Sequence, residues 1–107
     1  MRFAPNEYYH IYNRGVESRD IFLDNTDYQR FLNSLLVFNA DIPMTMRKAD
    51  RLELTEILSL PKLASIVSYV LMKNHVHLLI RCNDEYNLAK FLQKLFVGYT
   101  MYFNAKH

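Results

Sequence analysis

Two apolar runs near the middle of the chain constrain its fold more than any other feature. The first is "LASIVSYVLM" and the second is "HVHLLIRC", and only Lys73 and Asn74 separate them. Runs rich in β-branched and aliphatic residues are typical of strands, and a two-residue connection joins antiparallel neighbours. The sequence therefore predicts an antiparallel hairpin, even though Lys-Asn is not the strongest turn pair.

The flanking segments predict a further strand and two helices. The strand is "EYYHIYNRG", at residues 7–15. A first helix follows in "DNTDYQRFLNSLLVFN", where apolar residues recur at helical spacing and Asn25 or Thr26 can act as the cap. Asn87 is predicted to cap a last helix whose apolar face contains Leu88, Phe91, Leu92, Leu95, Phe96 and Tyr99. Residues 40–61 form a long connection in which the sequence predicts one short helix that ends before Pro61.

The predicted order of strand, helix, strand, strand, helix indicates an α+β fold. Such a chain forms an antiparallel sheet with its helices on one face, and one more strand would complete the ferredoxin-like pattern. A length of 107 residues, half of them hydrophobic, fits a single domain over residues 1–107. No apolar run is long enough for a membrane span. Cys82 is the only cysteine, which excludes an internal disulfide and favours a cytoplasmic protein.

The second run of the hairpin carries His75 and His77 with one apolar residue between them. Residues two apart on a strand share a face, so both imidazoles project from the face opposite Val76 and Leu78. Neutral imidazoles there can share a divalent ion such as zinc, manganese, iron or nickel, with water or another residue completing the shell. The alternative is a pair of surface histidines without a ligand, which is the commoner origin of such a pair.

The first predicted strand favours a binding site over that alternative. It places Tyr8, His10, Tyr12 and Arg14 on one face, which gives an aromatic and basic surface. If this strand adjoins the histidine strand, His10 becomes a candidate third ligand or phosphate contact.

Three segments together resemble the IS200-like transposases, in the branch associated with repetitive extragenic palindromes. They are "YYHIYNRGVESRDIFLDNTDYQRFL", "YVLMKNHVHLLI" and "NLAKFLQKLFVGYTMYFN". The likeness covers most of the chain, with residues 40–62 the least characteristic part. One departure is Lys73, where the family usually has proline.

The resemblance implies a single-tyrosine nuclease with a His-hydrophobic-His motif, in which His75 and His77 bind Mg²⁺ or Mn²⁺. In this family the metal polarises the scissile phosphate of single-stranded DNA next to a hairpin. A tyrosine attacks to give a 5′-phosphotyrosine link and a free 3′-hydroxyl, and strand transfer reverses the step. The implied DNA contacts include Tyr12, His10, Arg14 and Lys94, by stacking or by binding phosphate. Some relatives act as homodimers.

The resemblance also implies that this chain is the N-terminal part of such a domain. The family carries its nucleophilic tyrosine on a helix after a fourth strand, and no position here aligns with it. Tyr99 lies on the apolar stripe of the last helix and is predicted to be a core residue. Tyr102 lies in "GYTMYFN", which precedes the nucleophile helix in the family, so neither tyrosine is assigned as catalytic.

Two other functions remain open at the level of sequence. One is a nucleic-acid-binding module that uses its open sheet face without cleavage, as RNA-recognition sheets do. The other is a dimerising or metal-sensing module with an unpaired sheet edge. The acidic residues Asp20, Asp24 and Asp27 surround the start of the first helix, where capping and the helix dipole account for them.

Overall fold

The computed structural model describes residues 3–43 and 45–107 as a three-stranded sheet covered by helices. All strands are antiparallel, and their order across the sheet is β1-β3-β2. The elements are β1 (Tyr8–Arg14), α1 (Asn25–Val37), α2 (Met46–Ala49), α3 (Leu54–Leu58), β2 (Ser65–Met72), β3 (His75–Arg81) and α4 (Glu85–Lys106). The predicted hairpin and the α+β class are both confirmed.

The central strand β3 has one buried face and one open face. Its inward side chains, Val76, Leu78 and Ile80, are at most 1% exposed. They pack in one cluster with Phe31 of α1 and Phe91 of α4. Because residues alternate along a strand, His75 and His77 stand on the face that the helices leave uncovered.

The helices α1 and α4 approach each other closely at Gly98. A Cβ atom at that position would lie 2.8 Å from Cε2 of Phe38, at the end of α1. A larger residue would therefore have to displace the Phe38 ring. No helix in the described part of the chain is long and apolar enough to cross a membrane.

Both predicted helix caps are wrong by one to three residues. The cap of α1 is Asp24, whose Oδ1 accepts a hydrogen bond from the backbone N–H of Asp27 at 2.9 Å. The cap of α4 is Asp84, and its Oδ2 accepts from the backbone N–H of Asn87 at 3.1 Å. In each case the aspartate is the last residue with extended backbone, which is where a capping side chain reaches the first free N–H groups.

Residues 40–61 contain two short helices instead of one; Met44 lies outside the described residues. The helical conformation is interrupted between α2 and α3. The second of these helices begins with reciprocal bonds between Glu53 and Glu56, a capping box. Val37, Ala49 and Ile57 form a small second core under this connection. The α2–α3 region therefore packs beside α1.

The loop after β1 holds the tip of the hairpin. The carbonyl of Lys73 accepts from the N–H groups of Ile21 at 2.7 Å and Phe22 at 3.1 Å, and the carbonyl of Asn74 accepts from Gly15 at 2.9 Å. A Cβ at Gly15 would overlap the carbonyl oxygen of Arg19, so only glycine fits there. These bonds fix the tip that precedes His75.

Candidate metal and nucleic-acid site on the open sheet face

The imidazoles of His75 and His77 lie side by side on the open face of β3. Their ring centroids are 5.0 Å apart and the rings are nearly perpendicular, at 86°. Both residues are half-buried, so the rings are held by neighbours and still reach solvent. This is the juxtaposition that the spacing of the two histidines predicts.

Strand β1 brings further rings to the same place because it pairs with β3. In the register, Tyr12 lies opposite His77 and Arg14 lies opposite His75. The Tyr12 ring centroid is 4.9 Å from that of His77 and 5.5 Å from that of His75. His10 stacks on His77 with ring centroids 4.9 Å apart, and its Nε2 lies 2.7 Å from Nδ1 of His77.

Asn74 contacts the other histidine, a relation that the sequence analysis did not identify. Its Oδ1 lies 2.7 Å from Nδ1 of His75, and its Nδ2 donates to the carbonyl of Ser18 at 3.3 Å. The clue to this contact in the sequence is that Asn74 directly precedes His75. Each histidine of the pair therefore has its Nδ1 engaged by a neighbour.

The electrostatics of the face favour neutral imidazole. Burial lowers the pKa of His77 below its ordinary value, and the nearby His10 and His75 lower it further. A metal ligand must present an unprotonated ring nitrogen, so a lowered pKa leaves His77 ready to bind a cation at neutral pH. The pair fits a divalent ion in the chemistry of its donors, and solvent or substrate oxygens would supply the other ligands.

Three of the four predicted DNA contacts meet on this face. His10 and Tyr12 adjoin the histidine pair, and Nε of Arg14 donates to the hydroxyl of Tyr12 at 2.7 Å. Tyr8 is 60% exposed and Tyr12 is 44% exposed, so both rings can be reached from solvent. The face therefore combines accessible aromatic rings with a cation, which suits unpaired bases and phosphate.

Lys94 does not belong to this group. It lies on α4 in the helix layer, with its Nζ 5.9 Å from the ring centroid of Phe38. Burial lowers its pKa, and Lys90 contributes in the same direction. The sheet separates Lys94 from the histidine pair.

Tyr99 and Tyr102 also lie in the helix layer. Tyr99 is 6% exposed and its hydroxyl donates to the backbone carbonyl of Ile21. Burial raises its pKa, and the nearby carboxylate of Asp27 raises it further. The Tyr102 hydroxyl donates to Oδ1 of Asp27 at 2.7 Å. Both hydroxyls are engaged on the side of the molecule away from the histidine pair.

Asp27 is the centre of a second polar cluster, which joins the start of α1 to the end of α4. Its carboxylate is fully buried and receives the N–H of Leu23 at 2.9 Å, besides the Tyr102 hydroxyl. Lys106 Nζ lies 2.8 Å from Oδ1, and His107 Nε2 lies 2.9 Å from Oδ2. Burial would raise the pKa of Asp27, but hydrogen bonds from Lys106, Leu23 and the other donors hold it well below the ordinary range.

This second cluster contains the only group of three metal-type donors in residues 3–43 and 45–107. The donor atoms of Asp24, Asp27 and His107 all lie within 4.8 Å of one another. The ammonium of Lys106, however, is 2.9 Å from both Asp24 oxygens and 2.8 Å from Asp27. A cation is thus already supplied by the protein, and the group acts as an ion-paired latch between two helices.

The comparisons with known proteins bear on the second half of the chain. A family model described as "Transposase IS200 like" matches residues 44–107, which is more than half of the sequence. The match includes β2, β3 with both histidines, and α4. No curated protein and no solved structure gives a significant match to the chain.

Proposed function

The chain belongs to the IS200-like transposase family, and we propose that it carries the metal- and DNA-binding part of a metal-dependent single-stranded DNA endonuclease and strand transferase, with no tyrosine of residues 1–107 assigned as the nucleophile. One observation carries the proposal: two imidazoles share an exposed face, each with its Nδ1 engaged, beside a tyrosine and an arginine that can bind DNA. We place the chain in the branch associated with repetitive extragenic palindromes. We also propose a cytoplasmic location, where the single thiol of Cys82 stays reduced.

His75 and His77 are the proposed ligands of Mg²⁺ or Mn²⁺, through their Nε2 atoms. When bound, the cation would neutralise charge on the non-bridging oxygens of the scissile phosphate. The protein's own contribution is to hold the two rings nearly perpendicular and half-buried, which restricts where an ion can sit. It also keeps His77 neutral, since burial and the adjacent imidazoles lower its pKa.

The DNA is proposed to lie along the open face as a single strand next to a hairpin. Tyr12 offers a ring on which an unpaired base can stack, and Arg14 is close enough to bind the adjacent phosphate. His10 borders the same path, behind His77. Lys94 would contact only DNA that passes round to the helix layer.

The proposed reaction is attack of a tyrosine oxygen on the phosphorus. The P–O3′ bond breaks, the 3′ oxygen takes a proton, and the DNA is left joined through a 5′-phosphotyrosine. Neither Tyr99 nor Tyr102 is assigned as this nucleophile. Both hydroxyls are engaged in the helix layer, and for Tyr99 the raised pKa opposes formation of the phenolate.

A non-catalytic nucleic-acid-binding module is the second candidate, favoured by the exposed Tyr8 and Tyr12 on an open sheet. In that case the histidine pair would bind no metal, and DNA affinity would not change with a chelator. A homodimer formed through a sheet edge is a further proposal, since within residues 3–43 and 45–107 β1 and β2 each pair on one side only.

Mn²⁺ binding separates the first two candidates. We expect the wild-type chain to bind Mn²⁺, detected by loss of the free-ion electron paramagnetic resonance signal, and His75→Ala and His77→Ala each to abolish it. His107→Ala is the matched control, because it removes a histidine of the latch and leaves the open face intact. Equal Mn²⁺ binding by all four proteins would overturn the proposal. Fluorescence anisotropy with a hairpin DNA bearing a single-stranded arm then reports whether binding needs the metal.

A further inference from the structure

We infer that Asn74 and His10 are positioning residues that hold His75 and His77 as the Nδ1–H tautomers, so that both Nε2 lone pairs face outward. The inference rests on the proposed function for the identity of the cation and for the choice of His77 as donor to His10, whereas the tautomer of His75 follows from its contact with Asn74. The tautomers are properties of the protein without metal and can be measured separately. His10 is thereby a hydrogen-bond partner of the proposed ligand His77 and not itself a third metal ligand.

The contact with Asn74 determines the proton position on His75. A carboxamide oxygen only accepts hydrogen bonds, so at 2.7 Å from Oδ1 the Nδ1 of His75 must be the donor. A neutral imidazole that carries its proton on Nδ1 has its lone pair on Nε2. The amide cannot be flipped without loss, because its Nδ2 donates to the carbonyl of Ser18, which is itself only an acceptor.

The loop after β1 aims that carbonyl. Glu17 and Ser18 both adopt left-handed backbone, with φ of 56° and 60°. This conformation is costly for residues other than glycine and persists where surrounding contacts impose it. The same loop holds the hairpin tip through the N–H groups of Gly15 and Ile21. The unusual backbone therefore has a consequence at the site, since it presents an acceptor to Asn74.

We infer that the contact with His10 likewise places the proton of His77 on Nδ1. His77 Nδ1 and His10 Nε2 are 2.7 Å apart, so one of them donates to the other. If His10 donated, the proton of neutral His77 would lie on Nε2 and block that atom. If His77 donates, its Nε2 is free and His10 keeps its own proton on Nδ1. The second arrangement gives both histidines of the pair the same outward lone pair, and hydrogen bonds of this kind fix the orientation of metal-binding imidazoles in general.

Nitrogen-15 NMR of the metal-free protein at about pH 8, where histidines are largely neutral, tests the inference directly. Long-range proton–nitrogen correlations distinguish protonated from unprotonated ring nitrogens. We expect His75 and His77 to be Nδ1–H in the wild type. Asn74→Ala should move His75 toward the Nε2–H form and leave His77 unchanged, and His10→Ala should do the reverse. A parallel Mn²⁺ titration should show affinity lower by about tenfold or more in each variant.

The conservative variants separate positioning from a merely structural role. Asn74→Asp keeps an oxygen that accepts from His75 Nδ1, and His10→Gln keeps one that can accept from His77 Nδ1, so both should retain the wild-type tautomers. A wild-type protein with Nε2–H histidines would overturn the inference, as would an Asn74→Ala variant whose tautomers do not change. If the tautomers are as expected and Mn²⁺ does not bind, the inference stands and the proposed function fails.

Discussion

The open sheet face and the Asp27 latch contain similar residues but have opposite roles, since one is suited to bind a ligand and the other stabilises the fold. Each brings histidine and tyrosine side chains together from segments far apart in the sequence: His10 and Tyr12 contact His77 on the open face, and Tyr102 and His107 bind Asp27 in the latch. In the latch, a fully buried carboxylate receives four donors, two of them from Lys106 and His107. On the open face, each histidine of the pair has its Nδ1 engaged by one neighbour, and each ring is only half-buried.

The difference shows how polar groups divide between stability and function. A buried charge must be paired and fully hydrogen-bonded, and the described residues contain no buried side-chain nitrogen or oxygen without a partner. Groups satisfied in this way have no remaining capacity for a ligand. Half-buried groups with one free lone pair contribute little to stability and can bind a cation. Four measurements test this division, in order of decreasing effect.

Substitution of Asp27 should have the largest effect, on stability. Asp27→Ala removes the acceptor of Leu23, Tyr102 and Lys106 within a buried site, and loss of one partner of a buried pair costs about 3–5 kcal/mol. Urea denaturation followed by circular dichroism measures the loss. The exposed Asp20 provides the control, since Asp20→Ala should change stability by less than about 0.5 kcal/mol. Equal effects of the two substitutions would remove the distinction between latch and surface.

Substitution of His77 should affect binding and leave stability nearly unchanged. His77→Ala should weaken Mn²⁺ binding by at least about 100-fold, or about 2.7 kcal/mol, because it deletes one of two proposed ligands. The unfolding free energy should change by less than about 0.5 kcal/mol, as for a side chain outside the packed core. Isothermal titration calorimetry and urea denaturation on the same sample measure both quantities. A large loss of stability with intact Mn²⁺ binding would reverse the roles of the two clusters.

Acid should reduce the stability that the latch contributes. The folded pKa of Asp27 is held well below its ordinary value, so its ionised form stabilises the fold above the unfolded pKa. That contribution is lost as pH falls below about 5 toward the folded pKa, and a buried ion-paired aspartate of this kind contributes on the order of 2 kcal/mol. Thermal melts from pH 7 to pH 3 should therefore show a steeper decline for the wild type than for Asp27→Asn. Parallel declines would contradict the assignment.

Substitution of Tyr12 should have the smallest effect, on DNA binding. Tyr12→Ala removes a ring beside the histidine pair and should weaken single-stranded DNA binding about tenfold, since one base–aromatic stack contributes about 1–3 kcal/mol. Tyr12→Phe should retain most of the affinity because it keeps the ring. Tyr86→Ala is the matched control: Tyr86 is more exposed, at 72%, but lies on α4. A greater loss with Tyr86→Ala would place the DNA on the helix layer.

The open face was largely predictable from sequence, and the latch was not. Alternation along β3 is local, so the shared face of His75 and His77 follows from their spacing. To place His10 and Tyr12 beside the pair, one needs to know in addition only that β1 is the neighbour of β3 in the sheet. The latch, by contrast, joins Asp27 to Lys106 across 79 residues, and no local pattern specifies such a contact. Capping and the dipole of α1 account for Asp27 in the sequence, but they do not reveal its partners.

The caps show a different limit. Asp24, Asn25 and Thr26 are consecutive, and each is a good capping residue, so composition alone does not choose among them. The choice depends on which residue has extended backbone when the helix docks, and that is decided by packing. The role of Asn74 was hidden for a similar reason, because it requires the carbonyl of Ser18 from another loop.

The docking of the hairpin tip also determines which substitutions the tip can accept. Position 73 contributes a backbone carbonyl, which receives the N–H groups of Ile21 and Phe22. Proline would retain that carbonyl as fully as lysine does, so substitution of Lys73 leaves the docking contact intact. Position 74 contributes both its carbonyl and its side chain, and few residues can replace it. Two adjacent turn residues should therefore differ sharply in mutational tolerance, with a variable 73 beside a restricted 74.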